Sequence, residues 1–202
     1  MATIDLVERA IDAIRRGASV LLPTDTVYGL CAAPTEEGID HAYAVKGRTE
    51  AQPTALLAPD VDRLLELVPE LHGESAHVMR TLLPGPYTLV LPNPARRYPR
   101  LTGARPDTIG VRVAALPAAS RLVLDAVGCV LATSANAPGE PSPASLADVP
   151  EWIRSGCEAE IDAGRLPGVA STVLDFTGPE PAVLREGTAS SADAIALVGA
   201  TL

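Results

Sequence analysis

Apolar residues recur along this chain in short bursts of two kinds. Ile4, Val7, Ile11 and Ile14 return every three or four positions, which predicts an amphipathic helix with Thr3 as its N-cap and Gly17 as its stop. Ala18–Leu22 is a continuous apolar run of strand length, and it ends in the turn-forming Pro23–Gly29, PTDTVYG. A second helix is predicted from about Thr35, with Glu36 and Glu37 in its first turn, where the helix dipole favours acids. It runs through Ile39, Ala42 and Val45 to Lys46-Gly47-Arg48. Further strands are predicted at Thr54–Ala58, Tyr87–Leu91, Thr108–Val113, Cys129–Thr133, Ala159–Ile161, Ser171–Phe176 and Ala182–Arg185. Helices are expected to begin near Asp60 and Glu74, to span Pro117–Val127, to include Trp152 and to start again at about Ser190. Pro92–Asp107 and Ser134–Pro143 read as loops. Strands and helices interleave with no repeat and no linker, so residues 1–202 read as one α/β domain, a twisted sheet with helices packed on it.

Composition narrows the partners. With aromatics at 3% and hydrophobic residues at 47%, the core has to be aliphatic. No segment offers the roughly 20 apolar residues of a membrane span. The acidic start MATIDLVERA has no signal-peptide hydrophobic region, so a cytoplasmic location is expected. Three cysteines without a CxxC spacing argue against a disulfide framework or a thiolate zinc site, and three scattered histidines supply no metal set. The net charge of −9 argues for a small-molecule partner, because affinity for a nucleic-acid backbone rests on Lys and Arg. The loop bearing Arg96, Arg97, Arg100 and Arg105 keeps weak RNA binding as an alternative.

Glycine spacing excludes the common nucleotide cradles. No two glycines are separated by a single residue, so there is no GxGxxG, and there is no GxxxxGK[ST] either. GxSxG and HExxH are also missing. A nucleotide would have to be held by separate loops. Four polar clusters at predicted element ends are candidates, each with a plain structural alternative. Thr24 and Thr26 in PTDTVYG can bind a small polar ligand, or Asp25 and Thr26 can simply cap a turn. Lys46 and Arg48 around Gly47 suit an anion, or they complement a helix C-terminus. Ser134 and Asn136, leading to Ser142, allow close approach to the backbone, or they form an Asx turn. Gly168–Val173, which holds Ser171, is followed by Arg185, which can reach a phosphate or pair with Glu186.

The ordered series PTDTVYGL, KGR, LLPGPYTLVL, IGVRVAALP, ATSANAPGEPSP, GVASTVLD and LREG resembles the YrdC-like family of threonylcarbamoyl-adenylate synthases, over about Ser19 to Gly187. The resemblance implies a twisted open mixed sheet with flanking helices and a concave basic cavity. It implies a single-domain form, without the extra C-terminal domain that some relatives carry. It also implies a reaction in which L-threonine, bicarbonate and ATP give threonylcarbamoyl-adenylate and pyrophosphate. Other proteins then transfer the group to adenosine 37 of tRNA. Carried over by motif, Lys46 and Arg48 would be catalytic and bind the triphosphate, and Thr24 and Ser171 would bind threonine. Ser134, Asn136, Ser142 and Arg185 would bind the nucleotide. Arg112 matches the family's Val-Arg-x-Pro arginine, with a role that can be structural. Magnesium would come with ATP, held by phosphate oxygens and water rather than by protein ligands. The expectation reduces to geometry: Lys46, Arg48 and Arg185 should face one pocket.

The departures from the family pattern are Thr49 where proline usually follows Lys-x-Arg, Leu57 or Ala58 where a histidine is common, and Ala170 where a glutamate precedes Ser-Thr-Val. Replacing polar groups near a substrate site can change which substrate is accepted. A diverged paralogue with another substrate, an RNA-binding or ribosome-maturation role, and carbamoyl-adenylate chemistry on a different acceptor are the alternatives.

Overall fold

A computed structural model describes residues 3–201. Its first element is helix α1 (Thr3–Arg15), with Val7, Ala10 and Ile14 buried. The capping expected of the Thr3 side chain lies outside the described residues. Strand β1 (Val20–Pro23) follows and turns directly into β2 (Tyr28–Ala32), an antiparallel partner. The sequence pattern did not predict β2. Pro23 to Gly29 is turn-like in composition, but only Thr24–Val27 turns, closed by the Thr24 amide donating to the Val27 carbonyl at 3.1 Å. Tyr28 and Gly29 already belong to a wholly buried strand.

Helix α2 (Glu36–Lys46) starts on Thr35, whose hydroxyl accepts from the Gly38 amide, and stops at Gly47 in a left-handed conformation with φ 65°. Strand β3 (Ala55–Leu57) leads to α3 (Val61–Leu67), capped by Asp60, and then to α4 (Glu74–Leu82). Strands β4 (Tyr87–Pro92) and β5 (Thr108–Arg112) flank the arginine-bearing loop. Helix α5 (Ala118–Val127), β6 (Val130–Ser134), α6 (Glu151–Ser155) and β7 (Ala159–Glu160) come next. The antiparallel pair β8 (Thr172–Asp175) and β9 (Ala182–Arg185) precedes α7 (Ser191–Thr201).

The described strands form one nine-stranded mixed sheet in the order β7-β1-β2-β6-β3-β5-β4-β8-β9. Its two faces are unequal because side chains alternate along each strand. One face carries Leu56, Leu131, Ile109, Val111, Leu89, Leu91 and Leu174, and packs with residues of α2, α3, α4 and α7 into an aliphatic core. On the other face, α1 and α5 cover one end of the central strands over Leu57 and Val130. Farther along that face the strands present Gly29, Ala55, Gly110 and Ala132, all of them small. No bulky side chain fills this stretch, and it becomes the floor of a cavity. The α/β fold and mixed sheet with flanking helices agree with the sequence reading.

Candidate functional site

The cavity over that floor holds about 540 Å³. Its charged lining among the described residues is Arg48, Arg105, Arg112 and Arg185, with no aspartate or glutamate, and its remaining polar lining is serine and threonine. In a chain of net charge −9 this concentration of cations is local and specific.

Of the site residues expected from sequence, Thr24, Arg48, Ser134, Ser171 and Arg185 line this cavity, whereas Lys46, Asn136 and Ser142 do not. Thr24 is buried at the hairpin turn after β1. Its hydroxyl donates to the Val27 carbonyl at 2.7 Å and accepts from the Thr26 and Val27 amides, both at 3.2 Å. The turn is thus organised by Thr24, not by Asp25 and Thr26 bonding their own backbone. Asp25 instead pairs with Arg112, whose Nη2 also donates to Thr26 Oγ1 at 2.8 Å.

Lys46 ends α2 and is 5% exposed. Its ammonium donates to the Ser134 carbonyl at 2.6 Å, to the Asn136 carbonyl and to Asn136 Oδ1 at 3.1 Å. Of the three cations expected to face one pocket, Arg48 and Arg185 do so, and Lys46 sits behind the Ser134–Asn136 segment. The helix ends under the strand terminus, so the lysine reaches backbone oxygens before it reaches open space. Burial, and secondarily the nearby Arg48, lowers its pKa from 10.5 to about 8.

Arg48 leaves the Gly47 cap and is held by Thr133 Oγ1 at 2.8 Å and by the Pro53 carbonyl. Neither Lys46 nor Arg48 has a carboxylate partner among the described residues. Asn136 is engaged by Ser134 Oγ at 2.5 Å and donates to the Glu140 carbonyl at 2.6 Å, so it also holds the loop beyond β6. Ser142 lines a separate depression together with Asn136 and Arg165.

Across the sheet, Arg185 donates to the Ser171 carbonyl at 2.8 Å (Nη2) and 3.1 Å (Nε), and to Ser171 Oγ at 3.2 Å. It does not pair with Glu186, which accepts from Ser191 instead. Burial and the neighbouring Arg112 guanidinium both disfavour its charge.

Thr88 and Arg105 were missed as cavity residues. The alternation Thr88-Leu89-Val90-Leu91 was the available signal for Thr88, which turns its hydroxyl to Ser171 Oγ at 2.9 Å. Arg105 lies in the basic loop and pairs with Asp175 at 2.6 Å. Two other arginines of that loop are also engaged, Arg97 with Glu70 at 2.7 Å and Arg100 with Asp40 and Glu50 at 2.5 and 2.6 Å. Leu57 and Ala58, where the family commonly has histidine, are buried in the core, while Ala170 lines the cavity.

Among the described residues no three His, Cys, Asp or Glu side chains gather where a metal ion could be held, and no helix is long and apolar enough to cross a membrane.

The Sua5/YciO/YrdC family model, described as telomere recombination, matches residues 12–187. A threonylcarbamoyl-AMP synthase of Pyrococcus abyssi is 37% identical over 176 residues, covering 86% of this chain and 52% of that protein. One from Halorhodospira halophila is 33% identical over 180 residues, covering 89% of this chain and 93% of that protein. The structure of P. abyssi Sua5 complexed with L-threonine superposes with a TM-score of 0.83 at 32% identity, over 98% of this chain and 58% of that one. The chain therefore spans about half the length of its Pyrococcus relative.

Proposed function

The chain belongs to the Sua5/YciO/YrdC family, and from that premise we propose that it makes threonylcarbamoyl-adenylate and pyrophosphate from L-threonine, bicarbonate and ATP. The observation that carries this reading is the cavity lining: many hydroxyls, no aspartate or glutamate, and four arginines, of which Arg48 and Arg185 have no carboxylate partner among the described residues. Such a lining suits three substrates that each bring an anionic group, a carboxylate, a bicarbonate and a triphosphate. Bicarbonate first adds to the threonine amine, with loss of water, to give a carbamate. The carbamate oxygen then attacks the α-phosphate of ATP, and pyrophosphate leaves. This chemistry calls for alignment and charge neutralisation rather than a protein nucleophile.

In this reading Arg48 and Arg185 contact phosphate or carboxylate oxygens directly, since both guanidiniums reach the cavity. Lys46 contributes its charge from behind and holds Ser134 and Asn136 in position. Thr24 and Ser171 receive the amino acid, and Ser134 borders the nucleotide, while Asn136 holds the loop beyond β6. Magnesium enters with the triphosphate on phosphate oxygens and water, because the cavity supplies no carboxylate to hold it. The product passes to proteins that modify adenosine 37 of tRNA, which puts the protein in the cytoplasm.

Direct RNA binding is the rival reading. It has less support, because Arg97, Arg100 and Arg105 are already engaged by carboxylates. The test is pyrophosphate release with each substrate omitted in turn. Release only when L-threonine, bicarbonate and ATP are all present is expected. No release with threonine or any other amino acid, alongside salt-sensitive RNA binding that disappears when Arg96, Arg97 and Arg100 are neutralised, would replace this reading.

A further inference from the structure

Arg48 enters the cavity from a segment with little regular structure of its own. Residues 47–53 join α2 to β3 through turns and irregular backbone, and all of them except Arg48 are exposed. The guanidinium is wrapped by this same segment. It donates through Nη2 to the Pro53 carbonyl and, more weakly, through Nε to the Gln52 carbonyl at 3.4 Å. A movement of residues 50–53 therefore carries the guanidinium with it, away from Thr133 at the end of β6.

What holds the segment lies outside the cavity. Glu50 accepts from Arg100 Nε at 2.6 Å, and Arg100 Nη2 donates to Asp40 at 2.5 Å. Asp40 belongs to α2, so one guanidinium joins the irregular segment to a helix that the core fixes through Ile39, Ala42 and Tyr43. A second tie runs from the same helix. The buried Tyr43 hydroxyl donates to the Arg100 carbonyl at 3.0 Å and meets Thr54 Oγ1 at 3.2 Å. The Thr54 amide donates to the Leu101 carbonyl at 2.9 Å. Gly103, with a left-handed φ of 62°, packs so closely that an added Cβ would stand 3.0 Å from the Ala51 carbonyl oxygen.

Two parts of the cavity wall meet in this arrangement. Ala51, Pro53 and Thr54 line the cavity from one segment, and Thr102 and Ala104 from the other. Neither Glu50 nor Arg100 is in the lining, so each reaches a bound ligand only through the backbone it holds. Exposed ion pairs of this type add little to global stability, so their effect is local. For Glu50, plain electrostatics and positioning also predict opposite signs. A carboxylate near an anion site repels the ligand, and its removal alone should strengthen binding. A carboxylate that fixes the segment should weaken binding when it is removed.

We propose that Arg100 and Glu50 are positioning residues, which with Asp40 form a clasp that fixes residues 48–54 and so aims Arg48 at the triphosphate. The inference rests on the ATP reading above and extends it to residues outside the cavity.

Four variants of the whole chain test it: Glu50→Ala, Arg100→Ala, the two combined, and Arg97→Ala. The last removes a cation of the same loop that pairs with Glu70 instead. Calorimetric titrations with ATP and with L-threonine read binding, and amide hydrogen exchange reads the segment. Glu50→Ala and Arg100→Ala should each weaken ATP binding about fivefold or more, leave threonine within twofold, and speed exchange at the Gln52 and Thr54 amides. The combined variant should be no worse than the weaker single one, because both break the same clasp. Arg97→Ala should change neither affinity nor exchange. Melting temperatures should stay within about 2 °C of the unmodified chain. Should Arg100→Ala fail to fold, Glu50→Ala decides alone by the sign of its effect. ATP affinity unchanged or raised in Glu50→Ala, an equal loss for threonine, an equal loss in Arg97→Ala, or additive losses in the combined variant overturns the clasp. An unmodified chain that binds no ATP overturns the proposed function and the aiming of Arg48. Exchange then still separates the two ideas: faster exchange in Glu50→Ala keeps the clasp on the segment, and unchanged exchange overturns it.

Discussion

Lys46 is bonded to Asn136 twice, once at the backbone carbonyl and once at the side-chain oxygen, 3.1 Å from the ammonium. A helix end is thereby tied to the loop leaving β6, across 90 residues of sequence, through a charge that burial makes easy to remove. The lysine titrates at about 8 in the folded chain against an ordinary 10.5. Between those values the unfolded chain binds more protons than the folded one, so this group's contribution to stability improves as pH rises through the window. Below pH 8 both states are charged and the burial penalty is present in full. The site responds in the opposite sense, because its cation is lost above pH 8. ATP affinity should therefore weaken above pH 8 in the unmodified chain and stay flatter in Lys46→Arg. Equal pH profiles for the two proteins, measured by titration calorimetry, would rule out a role for this charge in binding.

Arg112 and Asp25 form an ion pair whose side chains are each 11% exposed. Removing one partner of a buried pair leaves a charge with no compensation. Arg112→Met should lower stability by about 3–5 kcal/mol. Adding Asp25→Asn removes the stranded charge and should recover part of that loss. Urea denaturation of the single and double variants measures both.

Gly187 closes the segment after Arg185. A Cβ there would overlap the Ala170 carbonyl oxygen and come within 2.5 Å of the Ser171 carbonyl carbon and the Thr172 amide. Gly187→Ala must therefore push aside the backbone that carries Ser171. Turnover should fall by about 100-fold, the scale on which a displacement near 1 Å acts. Unchanged pyrophosphate release would mean that Ser171 does not need its present position.

Gly110 lies on the cavity floor, and an added Cβ would meet Ala55 only at ordinary contact, 3.6 and 3.8 Å. Gly110→Val suits a strand and should leave the melting temperature unchanged or raised. The same side chain occupies space above the floor, so nucleotide affinity should drop at least tenfold. Stability and binding would then part company in one variant, which calorimetry and thermal denaturation together can establish.

Local sequence determined the elements that depend on near neighbours. Thr35, Asp60 and Gly47 predicted helix ends because caps are made within three or four residues. The ordered motifs were enough to identify the family resemblance. The tight hairpin was not legible, because Pro23, Asp25 and Gly29 have turn composition although Gly29 is a buried strand residue. Nor could local pattern show that Lys46 spends its donors on Ser134 and Asn136, or that Asp25 belongs to Arg112, 87 positions away. Those partners meet only when nine strands align in a non-sequential order. The cavity has the same origin. Gly29, Ala55, Gly110 and Ala132 are unremarkable one by one, and they become a floor only when strand register sets them on one face.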